Sequence, residues 1–331
     1  MLEFVTTEAE DSSDEVRAQR LPFVACELIC TWPVYEKLLE DELLLETLLQ
    51  PLKTESVNLL LLGYLSRILR SLTSSSHSTH LLSLLYASEG YFHHLLRHTY
   101  SFSVAELLIS LITFGDSYQS EKKEIVLKLV DLAQTAETPV NRYHCTKAVI
   151  ELLEQAESYK AAKELAAVLV SAPGLERLLS GLQTDRMDVC LYTLQVLKTV
   201  TQSQVLRSVL QSDQSSSFDS FFPTLISALD LLLHSALQSK LPAEVISTAF
   251  ALLRNSAKLD LQPVTEALVS HGTLHTCTLV FLANEFPSFV SVQYYLLTET
   301  VCALAPLRLH FINSTGIQAL ILEAVQSPMI S

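Results

Sequence analysis

The sequence predicts an all-α fold, an armadillo/HEAT-like helical-repeat solenoid wound as a right-handed superhelix. Apolar residues recur every three to four positions over long stretches, which is the spacing of amphipathic helices, and Asn-Gly and Asp-Gly hairpin signals are absent. A short motif recurs at Gly90, Gly174, Gly272 and Gly316: a glycine, an apolar residue, two spacer residues and an apolar pair. These copies start about 84, 98 and 44 residues apart, close to one or two multiples of the ~42-residue unit of such arrays.

The predicted elements run in order from an acidic N-terminal segment, residues 1–20, into a single helical-repeat domain, residues 21–327. Pro22 favours a helix start, because a proline in the first turn loses no hydrogen bond. The serine-rich stretches 71–78 and 212–217 are predicted to be loops, with regulatory phosphorylation as the alternative. The predicted helices are 22–31, 33–50, 56–72, 78–88, 89–99, 102–114, 121–135, 138–156, 160–171, 173–182, 185–200, 202–211, 218–238, 241–258, 262–270, 272–285, 289–304 and 314–326.

Several of these helices show two distinct sides at 3.6-residue spacing. In 56–72, Val57, Leu61, Leu65 and Ile68 are predicted to face inward, and the opposite stripe carries Gly63, Arg67 and Arg70. The same division separates apolar from polar residues in 140–155 and 185–200. We expect the polar stripes to form a ladder that a partner would contact. Gly90, Gly174 and Gly272 are each expected at a junction that opens a helix.

Composition narrows the function classes. The chain has 331 residues, of which 49% are hydrophobic and 18% charged, enough apolar material for one continuous core. Its formal net charge of −14 disfavours nucleic acid as a partner. Arg67 interrupts the longest apolar run, near 59–69, well short of the ~20 residues of a membrane span, so no membrane partner is predicted. Six dispersed cysteines and no secretory leader favour the cytoplasm, and also the nucleus.

No constellation of residues indicates an enzyme, a cofactor or a metal site. Cys26 and Cys30 lie one helical turn apart, as do His94 with His98 and His271 with His275, but none of these pairs has the remaining ligands that zinc needs. The cysteines are interpreted as small buried apolar residues. The seven glycines are too far apart for a phosphate-binding loop, and no strand is predicted to carry a nucleophile.

Three stretches carry a resemblance to a known family. They are 22–29 (PFVACELI), 58–69 (NLLLLGYLSRIL) and 89–98 (EGYFHHLLRH), and looser similarity continues through 104–113, 174–197 and 272–303. In their order and spacing they resemble the SAPS-domain family, the regulatory subunits of protein phosphatase 6-type Ser/Thr phosphatases. The family's upstream helices are absent here, and we expect either a truncated sequence or a divergent, minimal member.

The resemblance implies a non-catalytic scaffold that binds a Ser/Thr protein phosphatase catalytic subunit, protein phosphatase 6-like, and directs its activity or substrate choice. The alternatives are a generic armadillo/HEAT adaptor with another partner and an enzyme of unrecognised type. A nuclear-import adaptor is disfavoured, because its repeated Trp ladder is missing and Trp32 is the only tryptophan. The predicted partner-binding residues are basic ones in the first half of the chain, namely Arg67, Arg70, Arg97, His98, Arg142 and Lys147.

Overall fold

The computed structural model describes residues 1–8, 15–31, 34–73, 78–87, 91–210, 218–238, 241–284 and 286–314. These residues form twenty α-helices, with one π-helical and one 3₁₀ turn, and no β-strand occurs among them. The predicted all-α helical-repeat class is confirmed. The chain divides into two compact units, Met1–Val168 and Leu169–Ser331, and each is described separately below. The single domain over 21–327 and the right-handed superhelix stay predictions.

The first unit contains eleven helices among its described residues. They are α1 (Leu2–Thr6), α2 (Leu21–Ile29), α3 (Val34–Glu40), α4 (Glu42–Leu49), α5 (Leu59–Thr73), α6 (Ser78–Ala87), α7 (Tyr91–Arg97), α8 (Phe102–Thr113), α9 (Gln119–Thr135), α10 (Pro139–Gln155) and α11 (Lys160–Ala166). The π-helical turn Val16–Arg20 leads directly into α2, and the 3₁₀ turn Gln50–Lys53 follows α4.

A ladder of four helices organises the first unit. α2 packs on α5, α5 packs on α8, and α8 packs on α10. α9 lies outside this ladder and also packs on α10. The inward stripe predicted for α5 is confirmed, because Leu61, Leu65 and Ile68 are buried whereas Arg67 and Arg70 are exposed. Leucine, isoleucine and valine at i, i+3, i+4 and i+7 fill the space between neighbouring helices, so each helix is stabilised mainly by its neighbours.

The N-terminal segment is partly docked on the first unit. α1 packs against α2, α4 and α5, and Val5 is fully buried. The carboxylate of Glu8 accepts a hydrogen bond from the backbone N–H of Asn58 at 3.0 Å. Residues 9–14, which include the acidic Glu10, Asp11 and Asp14, lie outside the described part of the chain.

The second unit contains nine helices among its described residues. They are α12 (Ala172–Ser180), α13 (Met187–Gln202), α14 (Gln204–Leu210), α15 (Phe218–Gln238), α16 (Ala243–Ala257), α17 (Gln262–Ser270), α18 (Thr273–Ala283), α19 (Ser288–Ala303) and α20 (Ala305–Ser314). α13, α16 and α19 stack in that order as a second ladder, and α15 packs against α17 and α18.

The long helix α15 combines an apolar composition with a partly buried position. Its segment Ser220–Gln238 is, by length and composition, the one helix in the described residues that could cross a membrane, with a mean hydropathy of 1.4. Of that segment 44% is buried within the unit, and Phe222, Leu225 and Leu229 are fully buried. These side chains face α17 and α18 in the core, whereas Leu231 of the same helix is 70% exposed.

Two helix boundaries differ from the prediction for local reasons. The predicted helix 33–50 is divided into α3 and α4, because the carboxylate of Asp41 accepts hydrogen bonds from the backbone N–H groups of Leu43 and Leu44 and caps a new helix. α20 was not predicted, since the predicted helices stop at residue 304 and resume at 314; it contains Pro306. This proline lies in the first turn of the helix, where it is tolerated.

The glycine predictions have separate outcomes. Gly272 precedes α18 with a φ of 67°, a left-handed conformation that favours glycine, so its predicted role is confirmed. Gly174 lies in the first turn of α12, as its third residue, and so is close to the helix start, but it does not have the positive φ of Gly272. Gly90 and Gly316 lie outside the described residues, as do the predicted helix beyond residue 314 and the serine-rich stretch 212–217. In the other serine-rich stretch, residues 71–73 belong to α5, which corrects the predicted loop.

Candidate partner-binding face

The four stacked helices of the first unit present one continuous exposed face. Three contacts join neighbouring helices at this face. Ion pairs link Glu27 of α2 to Arg67 of α5, and Arg70 of α5 to Glu106 of α8. The rings of Phe102 of α8 and His144 of α10 lie 5.6 Å apart between centroids. We call this surface the ladder face. Its residues are Phe23, Val24, Glu27, Leu60, Arg67, Arg70, Phe102, Glu106, Val140, Tyr143, Lys147 and Glu151.

One end of the ladder face is apolar. Six large hydrophobic side chains near the starts of α2, α5, α8 and α10 are between 41% and 56% exposed. They are Phe23, Val24, Leu60, Phe102, Val140 and Tyr143. Each lies about one or two turns before a charged residue of the same helix, so the helical period places it on the same side. Exposed apolar residues in such an array are typical of a protein–protein interface.

The charged end of the ladder face begins with an ion pair. Arg67 Nη1 of α5 lies 2.6 Å from Glu27 Oε1 of α2, and the two side chains are 55% and 40% exposed. Solvent weakens such a pair, which contributes only about 0.2–1 kcal/mol to the free energy of unfolding. The main effect of the pair is to hold the Arg67 guanidinium of α5 next to α2.

Arg70 lies in an excess of carboxylates. Its guanidinium is 3.4 Å from Glu106 of α8, and Glu151 of α10 is close enough to interact with both residues. Partial burial raises the pKa of Glu151, and the nearby Glu106 carboxylate raises it further. A hydrogen bond from Gln155 and the positive charge of Arg70 both oppose this rise. The Arg70 guanidinium therefore lies near carboxylates of two neighbouring helices, α8 and α10.

Lys147 and Tyr143 complete the face on α10. Both are exposed and one turn apart, and the Lys147 ammonium lies 5.7 Å from the centroid of the Tyr143 ring. That distance allows a cation–π interaction. Lys147 therefore joins the apolar end of the face to its charged end.

Arg97 lies apart from this face. It is exposed at the end of α7, a helix that packs against α6, α8 and the 3₁₀ turn Gln50–Lys53. Its charge acts on neighbouring histidines, and together with burial, the larger cause, it lowers the pKa of His94. The structure does not bring Arg97 together with Arg67, Arg70 and Lys147.

His98 is buried and does not belong to any surface, which corrects its assignment as a partner-binding residue. Its Nε2 lies 2.9 Å from the Leu52 carbonyl and its Nδ1 lies 3.3 Å from the Tyr100 hydroxyl. That hydroxyl donates to the Val57 carbonyl and accepts from the Val57 N–H. Burial lowers the pKa of His98, against the opposing effect of the Leu52 hydrogen bond. The side chain therefore joins α7 to the segment before α5.

Arg142 is also buried, and its assignment is corrected in the same way. Its guanidinium donates to the carbonyl of Ala136 and, at 2.8 Å, to that of Glu137. These carbonyls follow the end of α9, where backbone acceptors have no partner inside the helix. Arg142 therefore closes the α9–α10 turn from within.

Sequence reasoning found the basic members of the ladder face and missed its other residues. Glu27 and Glu106 went unnoticed because their partners lie on different helices. The apolar end was missed because the partner-binding residues were chosen by charge alone. The spacing signal was available, since Phe102 precedes Glu106, and Tyr143 precedes Lys147, by four residues.

Within the described ranges, no group of three or more His, Cys, Asp or Glu side chains could hold a metal ion. All six cysteines are free, and two of them, Cys30 and Cys302, are half-buried.

The chain resembles curated phosphatase subunits. It is 25% identical over 259 residues to serine/threonine-protein phosphatase 6 regulatory subunit 1 from Homo sapiens, an alignment that covers 72% of this chain and 29% of that protein. Against the Mus musculus protein of the same name it is 24% identical over 261 residues, covering 73% of this chain and 30% of the relative. No family model matches the chain.

Similar solved structures include two crystal structures of engineered proteins. Each is 17% identical in sequence and covers 77% of this chain, together with 97% and 95% of its own chain, with TM-scores of 0.43 and 0.42. The all-α repeat architecture rests on this chain's own helices. In sequence, the chain is similar to regulatory subunits of a Ser/Thr protein phosphatase, and it spans less than a third of their length.

Proposed function

We propose that this chain is a non-catalytic regulatory or scaffold subunit that binds a Ser/Thr protein phosphatase catalytic subunit, protein phosphatase 6-like, and directs its activity or substrate choice. The observation that carries the proposal is the sequence similarity to two curated regulatory subunits over nearly three quarters of the chain. The stacked helices agree with it, because such arrays bind partners through broad surfaces. We propose the cytoplasm, and also the nucleus, as its location.

The ladder face is the proposed docking surface. A folded catalytic subunit needs a broad contact, and specific interfaces bury about 800 Å² on each partner. The ladder face combines an apolar end, led by Phe102 and Tyr143, with charged groups at Arg67, Arg70 and Lys147. That arrangement suits an interface in which apolar burial gives affinity and charges fix the orientation.

A second candidate is a general helical-repeat adaptor for another protein. The same ladder face would serve that function, because stacked helices and exposed apolar residues do not identify a partner. The two candidates differ only in which protein the chain retains.

The test is co-precipitation of the phosphatase 6 catalytic subunit with the tagged chain. Wild type should retain it, and the double variant Arg67→Glu with Arg70→Glu should bind at least about 30-fold more weakly, which corresponds to a loss of about 2 kcal/mol when paired charges become desolvated. The swap Glu27→Arg with Arg67→Glu keeps the intramolecular ion pair and the net charge while it exchanges the positions of the two charges. It separates loss of a partner contact from loss of the pair.

The matched control reverses two exposed bases of the second unit, Arg207→Glu with Lys258→Glu. It carries the same change in net charge and should bind as wild type does. Equal binding by all variants would reject the ladder face and leave the function standing. Absence of the phosphatase from the wild-type sample would reject the phosphatase function, and recovery of a different protein through the same face would favour the adaptor.

A further inference from the structure

Two thiols meet at the end of α2. Cys30 is the residue that ends the helix, its backbone N–H donates to the Cys26 carbonyl at 3.0 Å, and the two side chains therefore lie one helical turn apart. Cys26 is buried, with its Sγ 3.8 Å from the Tyr64 carbonyl of α5. Cys30 is half-buried, so solvent reaches the pair through Cys30.

The surroundings of Cys30 favour its thiolate. The hydrogen bond from Cys26 lowers the pKa of Cys30 most, a hydrogen bond with Ser71 and the charge of Arg67 lower it further, and burial and Glu27 oppose them, leaving a pKa of about 6. The same shared hydrogen bond, followed by burial and the charge on Cys30, raises the pKa of Cys26. One thiol is therefore ionised at neutral pH while its neighbour keeps its proton.

We propose that Cys30 and Cys26 form a redox modification site, in which Cys30 reacts with a hydroperoxide and Cys26 then closes a disulfide with it. The accessible member of the pair is the nucleophile, and the buried member is within reach to resolve the product. This site stands independently of the proposed function.

The two steps balance as follows. The Cys30 thiolate attacks one peroxide oxygen, an S–O bond forms, the O–O bond breaks, and hydroxide leaves, so sulfur is oxidised by two electrons and the peroxide is reduced. The Cys30 sulfenic acid carries no charge, which removes the repulsion that kept Cys26 protonated. The Cys26 sulfur then attacks Cys30, an S–S bond forms, the S–O bond breaks, and the Cys26 proton leaves with the hydroxide as water.

The end of the helix makes closure feasible. Residues one turn apart have Cβ atoms roughly 5–6 Å apart, whereas a disulfide needs about 3.5–4.5 Å. Cys30 is the C-terminal cap of α2, so moving its backbone breaks the last bond of the helix, from its N–H to the Cys26 carbonyl, and leaves the bonds among residues 21–29 in place. In contrast, Cys145, Cys190 and Cys277 are buried, and burial raises the pKa of each.

The first test measures alkylation of the reduced full chain by iodoacetamide, read residue by residue by mass spectrometry. Between pH 7 and 8 the Cys30 rate should change by less than about twofold, whereas a cysteine in a short unstructured peptide, with an ordinary pKa near 8.5, should rise about eightfold. Cys302 is the internal comparison for a half-buried thiol. Arg67→Gln should move the midpoint of the Cys30 profile upward. A Cys30 rate that rises like that of the free thiol would overturn the proposal.

The second test treats the reduced chain with hydrogen peroxide, blocks remaining thiols and digests it with trypsin. The peptide 21–37 holds both cysteines, and it should appear unblocked and lighter by two hydrogen atoms. Cys26→Ser should instead leave Cys30 as sulfenic acid, trapped by dimedone. Recovery of both thiols in blockable form, or of Cys30 sulfinic acid without disulfide in wild type, would reject the pair as a redox site.

Discussion

At the scale of single residues, three basic side chains are buried in the interior of the protein. His98, Lys122 and Arg142 are each at most 3% exposed, and each hydrogen-bonds backbone carbonyls that close a turn. Lys122 donates to the carbonyls of Phe114 and Gly115 at 2.7 Å, and burial lowers its pKa. A buried cation is tolerated in such places because its donors replace the hydrogen bonds that water would make.

The buried His98 predicts a sensitivity to acid. Burial lowers its pKa in the folded state below the ordinary value near 6.5, so the unfolded chain binds the proton more readily. Its contribution to stability is therefore complete above about pH 6.5 and falls as the pH drops below that value, by at most about 1.4 kcal/mol per pH unit. Urea unfolding at pH 7.5 and 5.5 should show a smaller loss for His98→Gln than for wild type.

Both proteins keep His94, whose pKa is also lowered, chiefly by burial, so most of its titration is common to the two proteins. Glutamine retains a donor for the Leu52 carbonyl, which limits the loss of stability at pH 7.5. Identical pH dependence in the two proteins would contradict the role given to His98.

At the scale of secondary structure, caps decide where helices begin. The segment 34–49 is apolar enough to read as one helix, and yet Asp41, with extended backbone angles, ends one helix and begins the next. Gly272 has the same effect before α18 through its positive φ. In both places one residue offers the backbone a stable alternative to continuing the helix.

The cap at Asp41 can be tested by substitution. Asp41→Ala removes the acceptor for two backbone N–H groups and should lower the free energy of unfolding by about 0.5–2 kcal/mol. Asp41→Asn should retain most of it. Glu46→Ala is the matched control, because it removes the same charge from an exposed position within α4, and it should change stability little. Thermal unfolding that ranks the control with Asp41→Ala would show that the cap is unimportant.

At the scale of the whole molecule, stability is shared along stacked helices. In the first unit the ladder runs from α2 to α10, and in the second from α13 to α19. Each unit buries apolar side chains between consecutive members of its own ladder. In such arrays a defect in one helix weakens its neighbours most and more distant helices less.

That sharing predicts a graded response to a cavity in α5. Leu65 is 1% exposed, and Leu65→Ala should cost about 2–5 kcal/mol. Hydrogen exchange should rise most in α5, less in α2 and α8, and least in α10. Leu43→Ala, the same chemical change at a 70% exposed position, is the control and should alter exchange little. A uniform rise through all four helices would contradict the graded response.

Local spacing was sufficient to predict the helical class, most helix positions and the inward residues of α5. It also identified Gly272 as a helix opening and Arg67, Arg70 and Lys147 as exposed bases. These features depend on the 3.6-residue period and on backbone preferences, which act over a few residues and are therefore legible in the sequence.

Only the tertiary structure decided which residues are neighbours. It buried His98 and Arg142, paired Arg67 with Glu27, and brought Arg67 and Ser71 of α5 to the thiol of Cys30. These contacts join residues that are far apart in the chain, and their identity depends on how one helix is rotated and shifted against the next. A small change in that register exchanges one cross-helix partner for another without altering either helix's pattern, so the sequence determines the helices and the packing of their ridges determines the site.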